Sequence, residues 1–454
     1  MKRFFVLCLS AVLLLSNTIP AAATETSEPV SQRSEADKDL WPEGPSVNAK
    51  AAVLMDASTG LVLYEKNAHK KEYPASTTKI LTTLLALENC SLNETVTFSH
   101  NAVFSLEVGS SHIGIDEGER LTVEQCLYAI MLASANEVST GIAEHISGSV
   151  EEFAKLMNAR AKELGCLNTH FANANGLHND EHYTSAYDMA LIGRAAMQNP
   201  TFRKITATKR YTIPPTNKHE NENVFPNHHK MLIDSPFQYE YCTGGKTGYT
   251  SKAGNTLVTF AKKGNITLVC VVMRANGPTS PENEYTDTTK LFEWGFENFT
   301  QYNIDSEETV TEENAATLFT RYSPLFDSDA SPLKMGSNAT ILLPKSADFA
   351  DAKREITFQP NSELKEGDNI IGSVTYTYGG KTVGSCDILF TKAESPALAA
   401  AEAPKEVDSK TVRAGEKWNL KPLIILVIFL ILGSGGYFYW KLNRKGRRKT
   451  FDFR

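Results

Sequence analysis

The sequence lacks the features that mark metal-stabilised or redox domains and nucleic-acid binders. It holds seven cysteines in 454 residues, and none forms a Cys-x-x-Cys pair, so a metal or dithiol motif is not indicated. A formal net charge of -7 argues against a general nucleic-acid binder. The content of 41% hydrophobic and 22% charged residues is ordinary for globular proteins, so most of the chain is expected to fold, as two or three domains.

The N-terminus has the pattern of an export signal. A basic pair, Lys2-Arg3, precedes the apolar run Phe4 to Leu15, and three alanines at 21–23 provide small residues for cleavage. The run is too short to span a bilayer comfortably. The pattern predicts a signal peptide over 1–23, followed outside the cytoplasm by a polar linker over 24–47 that lacks apolar periodicity.

The C-terminus has the pattern of a membrane anchor. After a linker over 394–421, an apolar stretch over 422–440 is about long enough to span and ends in the aromatic group Tyr437 to Trp440. The basic tail over 441–454 predicts a cytoplasmic end by the positive-inside rule. We therefore expect a single-pass protein of the cell membrane whose folded part lies outside the cytoplasm.

Two domains are expected between these ends. Over 48–302, strands come first, then a helical middle that includes Val123 to Leu132, then strands such as Ile266 to Met273, and a closing helix. This order indicates an α+β fold in which helices face an antiparallel sheet. Over 303–393, short strands and the Gly379-Gly380 turn indicate a small, β-sandwich-like domain.

A serine and a lysine lie three residues apart at the start of an apolar helical pattern. Pro74 suits the start of the element, and Ser76 and Lys79 would share one face of it. A serine hydroxyl is a weak nucleophile until a base removes its proton, and a lysine kept neutral by burial or by a second cation can be that base. Taken alone the spacing is common, and a polar helix start with a solvated lysine explains it better than a catalytic pair does.

Two further motifs change this interpretation. Ser134-Ala135-Asn136 interrupts the helical middle, and Lys246-Thr247-Gly248 opens the later strands. Together with Ser76 and Lys79, in this order, they resemble the Ser-x-x-Lys, Ser-x-Asn and Lys-Thr-Gly set of penicillin-interacting serine acyltransferases. Phe171 to Leu177 and Ser185 to Ala190 extend the resemblance to D-alanyl-D-alanine carboxypeptidases of the low-molecular-weight penicillin-binding protein type, over roughly residues 45 to 392.

The resemblance implies a penicillin-binding, transpeptidase-like fold and assigns a role to each motif residue. Ser76 would be the acyl-ester nucleophile, Lys79 the general base and Ser134 a proton relay. The substrate-binding residues would be Asn136, Lys246, Thr247, Gly248 and Tyr249. The backbone N–H groups of Ser76 and Tyr249 would form the oxyanion hole. No metal and no organic cofactor is implied, because histidines such as His178 and His182 have loop neighbours and lack a third ligand.

The sequence departs from the family at one point. Family members often carry an arginine after the last core strand that helps to hold the substrate's terminal carboxylate. The segment Asn276 to Lys290 has none, and Arg274 falls earlier, at the end of the strand. Lys230 lies in a region where relatives carry a basic group, so it is a candidate for this role.

The sequence therefore predicts a serine-type D-Ala-D-Ala carboxypeptidase that acts on peptidoglycan stem peptides and is acylated by β-lactams. One alternative is a serine β-lactamase, which would need a loop glutamate to activate water. Glu181 lies in a suitable region, but its neighbours do not match that pattern. Another alternative is a non-catalytic wall-binding scaffold, against which the intact motifs argue. We expect the β domain to space the active site from the membrane.

Overall fold

The computed structural model describes residues 40–275, 283–307, 333–337, 339–358 and 364–392. The chain divides into two compact units, Met1–Ala393 and Glu394–Arg454, and all of the described residues belong to the first. The predicted signal peptide, the first part of the 24–47 linker, the 394–421 linker, the anchor over 422–440 and the basic tail lie outside the described residues. Among the described helices, none is long and apolar enough to cross a membrane.

The described part of the chain alternates between strands and helices up to residue 307. The helices are α1 (Lys79–Asn89), α2 (His100–Phe104), α3 (Val123–Leu132), α4 (Asn136–Ser147), α5 (Val150–Glu163), α6 (Ala186–Gln198), α7 (Pro200–Thr206), α8 (Asn283–Asn298) and α9 (Ile304–Glu307). The strands of this part are β1 (Ala51–Asp56), β2 (Val62–Lys66), β3 (Thr95–Thr97), β4 (Arg120–Thr122), β5 (Arg210–Ile213), β6 (Asn223–Pro226), β7 (Cys242–Thr250), β8 (Gly254–Lys263), β9 (Ile266–Met273) and β10 (Phe299–Asn303).

A five-stranded sheet with the order β2-β1-β9-β8-β7 forms the centre of this part. Every neighbouring pair in it is antiparallel. The expected α+β class, with helices on an antiparallel sheet, is confirmed. Because β7 is the last strand in the order, one of its sides is not covered by another strand of this sheet, and the Lys246-Thr247-Gly248 motif lies on that edge.

The sheet separates two hydrophobic cores. Along β1, Val53 and Met55 face a core that includes α1, α3, α4, α5 and α6, whereas Ala52 and Leu54 face a second core with α8. This alternation follows from the two-residue period of a strand, and because both faces are buried β1 is apolar at almost every position. Burial on two sides fixes the register of the strands that carry the site.

Local signals explain where the helices next to the site begin. Thr122 and Gln125 form a reciprocal capping box at the start of α3. The chain then turns at Ser134, which has a left-handed φ of 61°, and α4 begins at Asn136. Ser185 caps α6 by accepting a hydrogen bond from the Asp188 N–H.

The second part of the described chain is built from strands. They are β11 (Leu333–Met335), β12 (Thr340–Pro344), β13 (Lys353–Phe358), β14 (Gly367–Tyr378) and β15 (Lys381–Lys392). Four of them form an antiparallel sheet in the order β11-β15-β14-β13, and β12 pairs with β10. Side chains of this part, such as Val374 and Ile388, share the second core with α8 and with Leu54 of β1.

The sequence-based expectation of a linker through residue 47 is wrong for its last residues. Trp41 is only 9% exposed, and its Nε1 donates to the Gly379 carbonyl oxygen at 3.1 Å. Its ring packs against Phe299 and Tyr378, with centroids 6.2 and 5.8 Å away. The polar composition of the segment gave no indication of this packing, because its buried residues, such as Trp41 and Val47, are few and widely spaced.

Candidate active site

Ser76 lies in a short 3-10 turn, Ala75–Thr78, that leads directly into α1. The Thr77 hydroxyl donates to the Pro74 carbonyl oxygen at 2.7 Å and thereby links the turn to the residue that precedes it. Lys79 is the first residue of α1, and its Nζ lies 3.1 Å from Ser76 Oγ. The spacing of three residues therefore puts both side chains in the same space, as predicted.

The Lys79 amine is fully buried and is held by three oxygen atoms. Besides Ser76 Oγ, it contacts Asn136 Oδ1 at 2.6 Å and the Asn175 carbonyl oxygen at 2.5 Å. The last two can only accept hydrogen bonds, so they take the two N–H groups of a neutral amine. The nitrogen lone pair then remains for the Ser76 hydroxyl, which is the arrangement that a base for Ser76 requires.

Burial and charge both favour the neutral form of Lys79. Desolvation lowers its pKa well below the ordinary value of 10.5, and the Lys246 cation lowers it further, whereas the Glu137 carboxylate opposes the shift. Burial also lowers the pKa of Lys246 itself, to about 7. The Lys246 Nζ donates to the Thr247 carbonyl oxygen at 3.0 Å. Both lysines therefore lose their protons far more easily than lysines in water.

The turn between α3 and α4 places Ser134 and Asn136 in the same region as Ser76 and Lys79. Ser134 is buried, and its left-handed backbone reverses the chain after α3. The Asn136 N–H donates to the Ser111 carbonyl oxygen at 3.0 Å, while its side chain reaches Lys79. The predicted interruption of the helix at this motif is therefore present.

Edge strand β7 forms the opposite wall. Thr247, Gly248 and Tyr249 line one cleft together with Ser76, Ser134 and Asn136, and the cleft has a volume of about 330 Å³. The Tyr249 side chain is 65% exposed at its rim. Lys79 and Lys246 are buried beside the cleft, so all eight residues singled out from the sequence belong to one region.

Packing of β7 on the Ser76 turn explains why position 248 is a glycine. A Cβ here would point into the protein, 2.9 Å from the Pro74 carbonyl oxygen and 3.1 Å from the Ser76 nitrogen, and would overlap Thr256 Oγ1. Thr256 Oγ1 itself lies 3.0 Å from the Pro74 oxygen. Gly248 thus allows β7 to pack directly on the Ser76 turn.

A loop after α5 supports the turn from the other side, and no function was inferred for its residues from the sequence. Asn173 holds the loop by accepting from the Gly176 N–H at 2.7 Å and donating to the Leu177 carbonyl oxygen at 3.0 Å. Gly176 has a φ of +83°, and a Cβ there would overlap the Ala75 carbonyl oxygen. The asparagine-rich pattern of Phe171 to Leu177 was the available signal, but the role of the Asn175 carbonyl depends on tertiary packing.

His182 fastens the same loop to the turn. Its Nδ1 accepts from the Ala172 N–H at 3.0 Å, so its Nε2 carries the proton and donates to Thr78 Oγ1 at 2.8 Å. Burial lowers the pKa of His182 to about 3, with smaller effects from nearby cations. A neutral, structural histidine results, in agreement with its interpretation as a loop residue rather than a metal ligand.

Glu137 is a buried carboxylate close enough to Lys79 to influence its pKa. One of its oxygens accepts from the Ile113 N–H at 2.6 Å. This hydrogen bond holds in place the segment whose residues Ser110 and Ser111 line the cleft. Burial raises the pKa of Glu137. Sequence patterns gave no sign of this residue, because a glutamate in the first turn of a helix is ordinary.

Lys230, the candidate for the role of the missing arginine, and Arg274, at the end of β9, lie in different places. Arg274 points toward Glu72, with an Nη1 to Oε2 distance of 3.6 Å, and its side chain is half exposed. The Lys230 Nζ lies 5.9 Å from the ring centroid of Tyr285, a residue that lines the cleft. Lys230 therefore lies close to a residue of the cleft, as its candidate role requires, whereas residues 276–282 are outside the described part.

Comparisons with known proteins identify relatives of this chain. The model of the D-alanyl-D-alanine carboxypeptidase family matches residues 38–277. D-alanyl-D-alanine carboxypeptidase DacF of Bacillus subtilis is 31% identical over 414 residues, covering 89% of this chain and 95% of the relative. DacC of Escherichia coli is 31% identical over 354 residues, covering 75% of this chain and 83% of the relative.

Solved structures show the same similarity. Penicillin binding protein 5 from Haemophilus influenzae superposes with a TM-score of 0.61 at 27% identity, covering 78% of this chain and 99% of that structure. The Streptomyces K15 DD-transpeptidase gives a TM-score of 0.52 at 29% identity, covering 56% of this chain and 100% of that structure. By sequence motifs, site geometry and these matches, the chain belongs to the D-alanyl-D-alanine carboxypeptidase family.

Proposed function

We propose that this chain is a serine-type D-Ala-D-Ala carboxypeptidase that removes the terminal D-alanine from peptidoglycan stem pentapeptides. The observation that carries the proposal is the buried, hydrogen-bonded Lys79 amine 3.1 Å from Ser76 Oγ. A serine with a neutral amine as its base is suited to acyl transfer. Membership of the family, whose relatives are named as D-alanyl-D-alanine carboxypeptidases, supports the substrate.

Acylation follows from the positions of the side chains. Neutral Lys79 takes the Ser76 proton as Oγ attacks the carbonyl carbon of the D-Ala–D-Ala bond. The resulting oxyanion is held by the backbone N–H groups of Ser76 and Tyr249, and one such donor contributes about 3 kcal/mol to lowering the barrier. Ser134 then passes a proton to the departing amine, the C–N bond breaks, and D-alanine leaves.

Substrate binding and deacylation use the remaining residues. The peptide lies against edge strand β7, Thr247 binds the terminal carboxylate, and the Asn136 amide contacts the peptide backbone. Lys246 supplies a nearby positive charge and helps to keep Lys79 neutral. Water then attacks the Ser76 ester with the same groups acting in reverse, so the net reaction is hydrolysis. A β-lactam enters the same path but leaves a longer-lived acyl-enzyme.

The location proposed for the enzyme rests on its terminal sequences. A signal peptide over 1–23, a single span over 422–440 and a basic tail over 441–454 would place the folded part outside the cytoplasm at the cell membrane. The β11–β15 region would act as a spacer between the anchor and the active site. Expression in cells of a chain that lacks the β11–β15 region but keeps its anchor tests the spacer role. An unchanged wall-trimming pattern would contradict it.

The first test measures D-alanine release from a stem pentapeptide by the purified full chain, Ser76→Ala and Ser58→Ala. Ser58 is an exposed serine in the β1–β2 turn, so its variant controls for the loss of a hydroxyl. We expect release by the parent and Ser58→Ala, and none by Ser76→Ala. Equal release by all three proteins would remove Ser76 from the mechanism.

A parallel labelling experiment with fluorescent penicillin separates the alternatives. A stable covalent band on the parent that is absent from Ser76→Ala supports the carboxypeptidase. Rapid turnover of the penicillin without a stable band would indicate a β-lactamase. A correctly folded parent with neither a band nor turnover would indicate a non-catalytic scaffold.

A further inference from the structure

A second group of reactive side chains lies at the opposite ends of the helices that carry the site. Cys90 directly follows α1, Glu94 lies in the turn before β3, and His145 is in the last turn of α4. The Cys90 Sγ, a Glu94 carboxylate oxygen and a His145 ring nitrogen all lie within 4.8 Å of one another. Within the described ranges, this is the one group of three such side chains that meets that distance.

Two of the three side chains are already oriented toward each other. The His145 Nε2 lies 3.2 Å from Glu94 Oε2. The other Glu94 oxygen accepts from the Ser91 N–H at 2.5 Å, which fixes the carboxylate plane. The neighbouring Glu144 is engaged elsewhere, by the Ser99 hydroxyl at 2.6 Å and the Asn101 amide at 2.7 Å. The geometry therefore selects one thiol, one imidazole and one carboxylate.

We propose that Cys90, Glu94 and His145 form a binding site for a divalent transition-metal ion of the zinc type. Thiolate sulfur, imidazole nitrogen and carboxylate oxygen are the ligands that Zn²⁺ takes in proteins, and a water molecule completes a four-coordinate site. Neighbouring ligand atoms in such a site are roughly 3.5 Å apart, so the three side chains need only small rotations. On binding, the Cys90 S–H bond is replaced by a sulfur–metal bond and the proton passes to solvent.

The site would stabilise the catalytic helices rather than take part in the reaction. Helix α1 begins with Lys79 and ends before Cys90, whereas α4 begins with Asn136 and contains His145 near its end. The first residues of the two helices are joined by the Lys79–Asn136 hydrogen bond of 2.6 Å. A metal ion would join their other ends, about 16 Å away for an eleven-residue helix.

Cobalt provides a direct probe of this site. The purified full chain is treated with a chelator, kept in a non-thiol reductant and titrated with Co²⁺ while its absorption is recorded. We expect one equivalent of Co²⁺ to give a thiolate-to-cobalt charge-transfer band and tetrahedral d–d bands that Zn²⁺ abolishes. Cys90→Ser should lose the charge-transfer band, and His145→Ala should weaken binding at least tenfold.

A control variant isolates the thiol-containing site. His100→Ala breaks another exposed histidine–glutamate pair, in which His100 Nδ1 lies 2.9 Å from Glu117 Oε2, so it should bind Co²⁺ like the parent. Zn²⁺ at a hundredfold excess over its Kd should raise Tm by roughly 5 °C in the parent and in His100→Ala but not in Cys90→Ser. Penicillin labelling of every variant reports whether it is folded.

Two results would overturn the proposal. The first is a parent chain that labels with penicillin but gives no thiolate band at millimolar Co²⁺. The second is a band of unchanged intensity in folded Cys90→Ser, which would assign the metal to another thiol. Because labelling of Ser76 is measured separately, failure of the metal site is distinguishable from failure of the proposed enzyme activity.

Discussion

The contact between Gly176 and the Ser76 turn allows a quantitative test of how the active site is supported. In Gly176→Ala, the new Cβ would overlap the Ala75 carbonyl oxygen and lie 2.9 Å from Thr78 Oγ1. Both neighbours belong to the turn that holds Ser76, and one of them is backbone, so the turn itself must move. A displacement of about 1 Å of a reacting group can reduce a rate about 100-fold.

Backbone strain must be separated from this displacement. Gly176 has a φ of +83°, where alanine costs roughly 1–2 kcal/mol. Gly148, at the end of α4, has a φ of +79° and nothing within 4 Å of its added Cβ. Gly148→Ala therefore carries the same strain without the contact, which makes it a matched control.

The measurement is the second-order rate of acylation by fluorescent penicillin, together with Tm. We expect both alanine variants to lose similar stability from strain, but only Gly176→Ala to acylate about 100-fold more slowly, which corresponds to about 2.7 kcal/mol of barrier. An acylation rate within threefold of the parent in folded Gly176→Ala would refute the role of this contact. Equal slowing in both variants would assign the effect to stability alone.

Three further predictions follow from charges and packing. Lys246→Gln removes a cation that lowers the pKa of Lys79, so the acidic limb of the pH–acylation profile should move to higher pH. Glu137→Gln removes a carboxylate that raises this pKa, so the limb should move to lower pH. Shifts of both variants in the same direction would contradict the assignment of this limb to Lys79. In the folded protein His182 stays neutral down to about pH 3, whereas in the unfolded chain it takes up a proton below about pH 6.5, so the free energy of unfolding falls as pH drops below 6.5. Urea unfolding at pH 7 and pH 5 measures this loss, which should be about 2 kcal/mol smaller in His182→Gln than in the parent. Trp41→Ala should lower the free energy of unfolding by about 3 kcal/mol while penicillin labelling at low temperature stays normal; an unchanged denaturation midpoint would show that the packing of this arm is unimportant.

Sequence patterns predicted the elements whose periodicity is strong. The helix Val123–Leu132 and the strand Ile266–Met273 begin and end at the predicted residues. The short hairpin of β5 and β6 was missed, because four-residue strands with one buried position each carry no clear alternation. The packed segment after Trp41 was missed for a related reason, since its partners lie more than 250 residues away in sequence.

The site was predictable as a set of motifs but not as a set of contacts. Ser76 and Lys79 are close because of helical spacing, which a sequence shows directly. The Asn175 carbonyl oxygen that accepts a hydrogen bond from Lys79 is a backbone atom, so the residue type at position 175 does not predict this contact. His145 is likewise brought to Cys90 and Glu94 only by tertiary structure, and a search for closely spaced cysteine pairs could not find this group.

The packing of Gly248 on the Ser76 turn constrains how this protein can evolve under antibiotic selection. A mutation that adds a side chain at position 248 must push against the Ser76 nitrogen, the group expected to stabilise both the peptide and the β-lactam oxyanion. The same displacement would thus weaken the reaction with the drug and with the natural substrate in similar proportion. Resistance in this lineage is therefore expected to arise at the cleft rim, where Tyr249 is exposed, and not at the glycine beneath it.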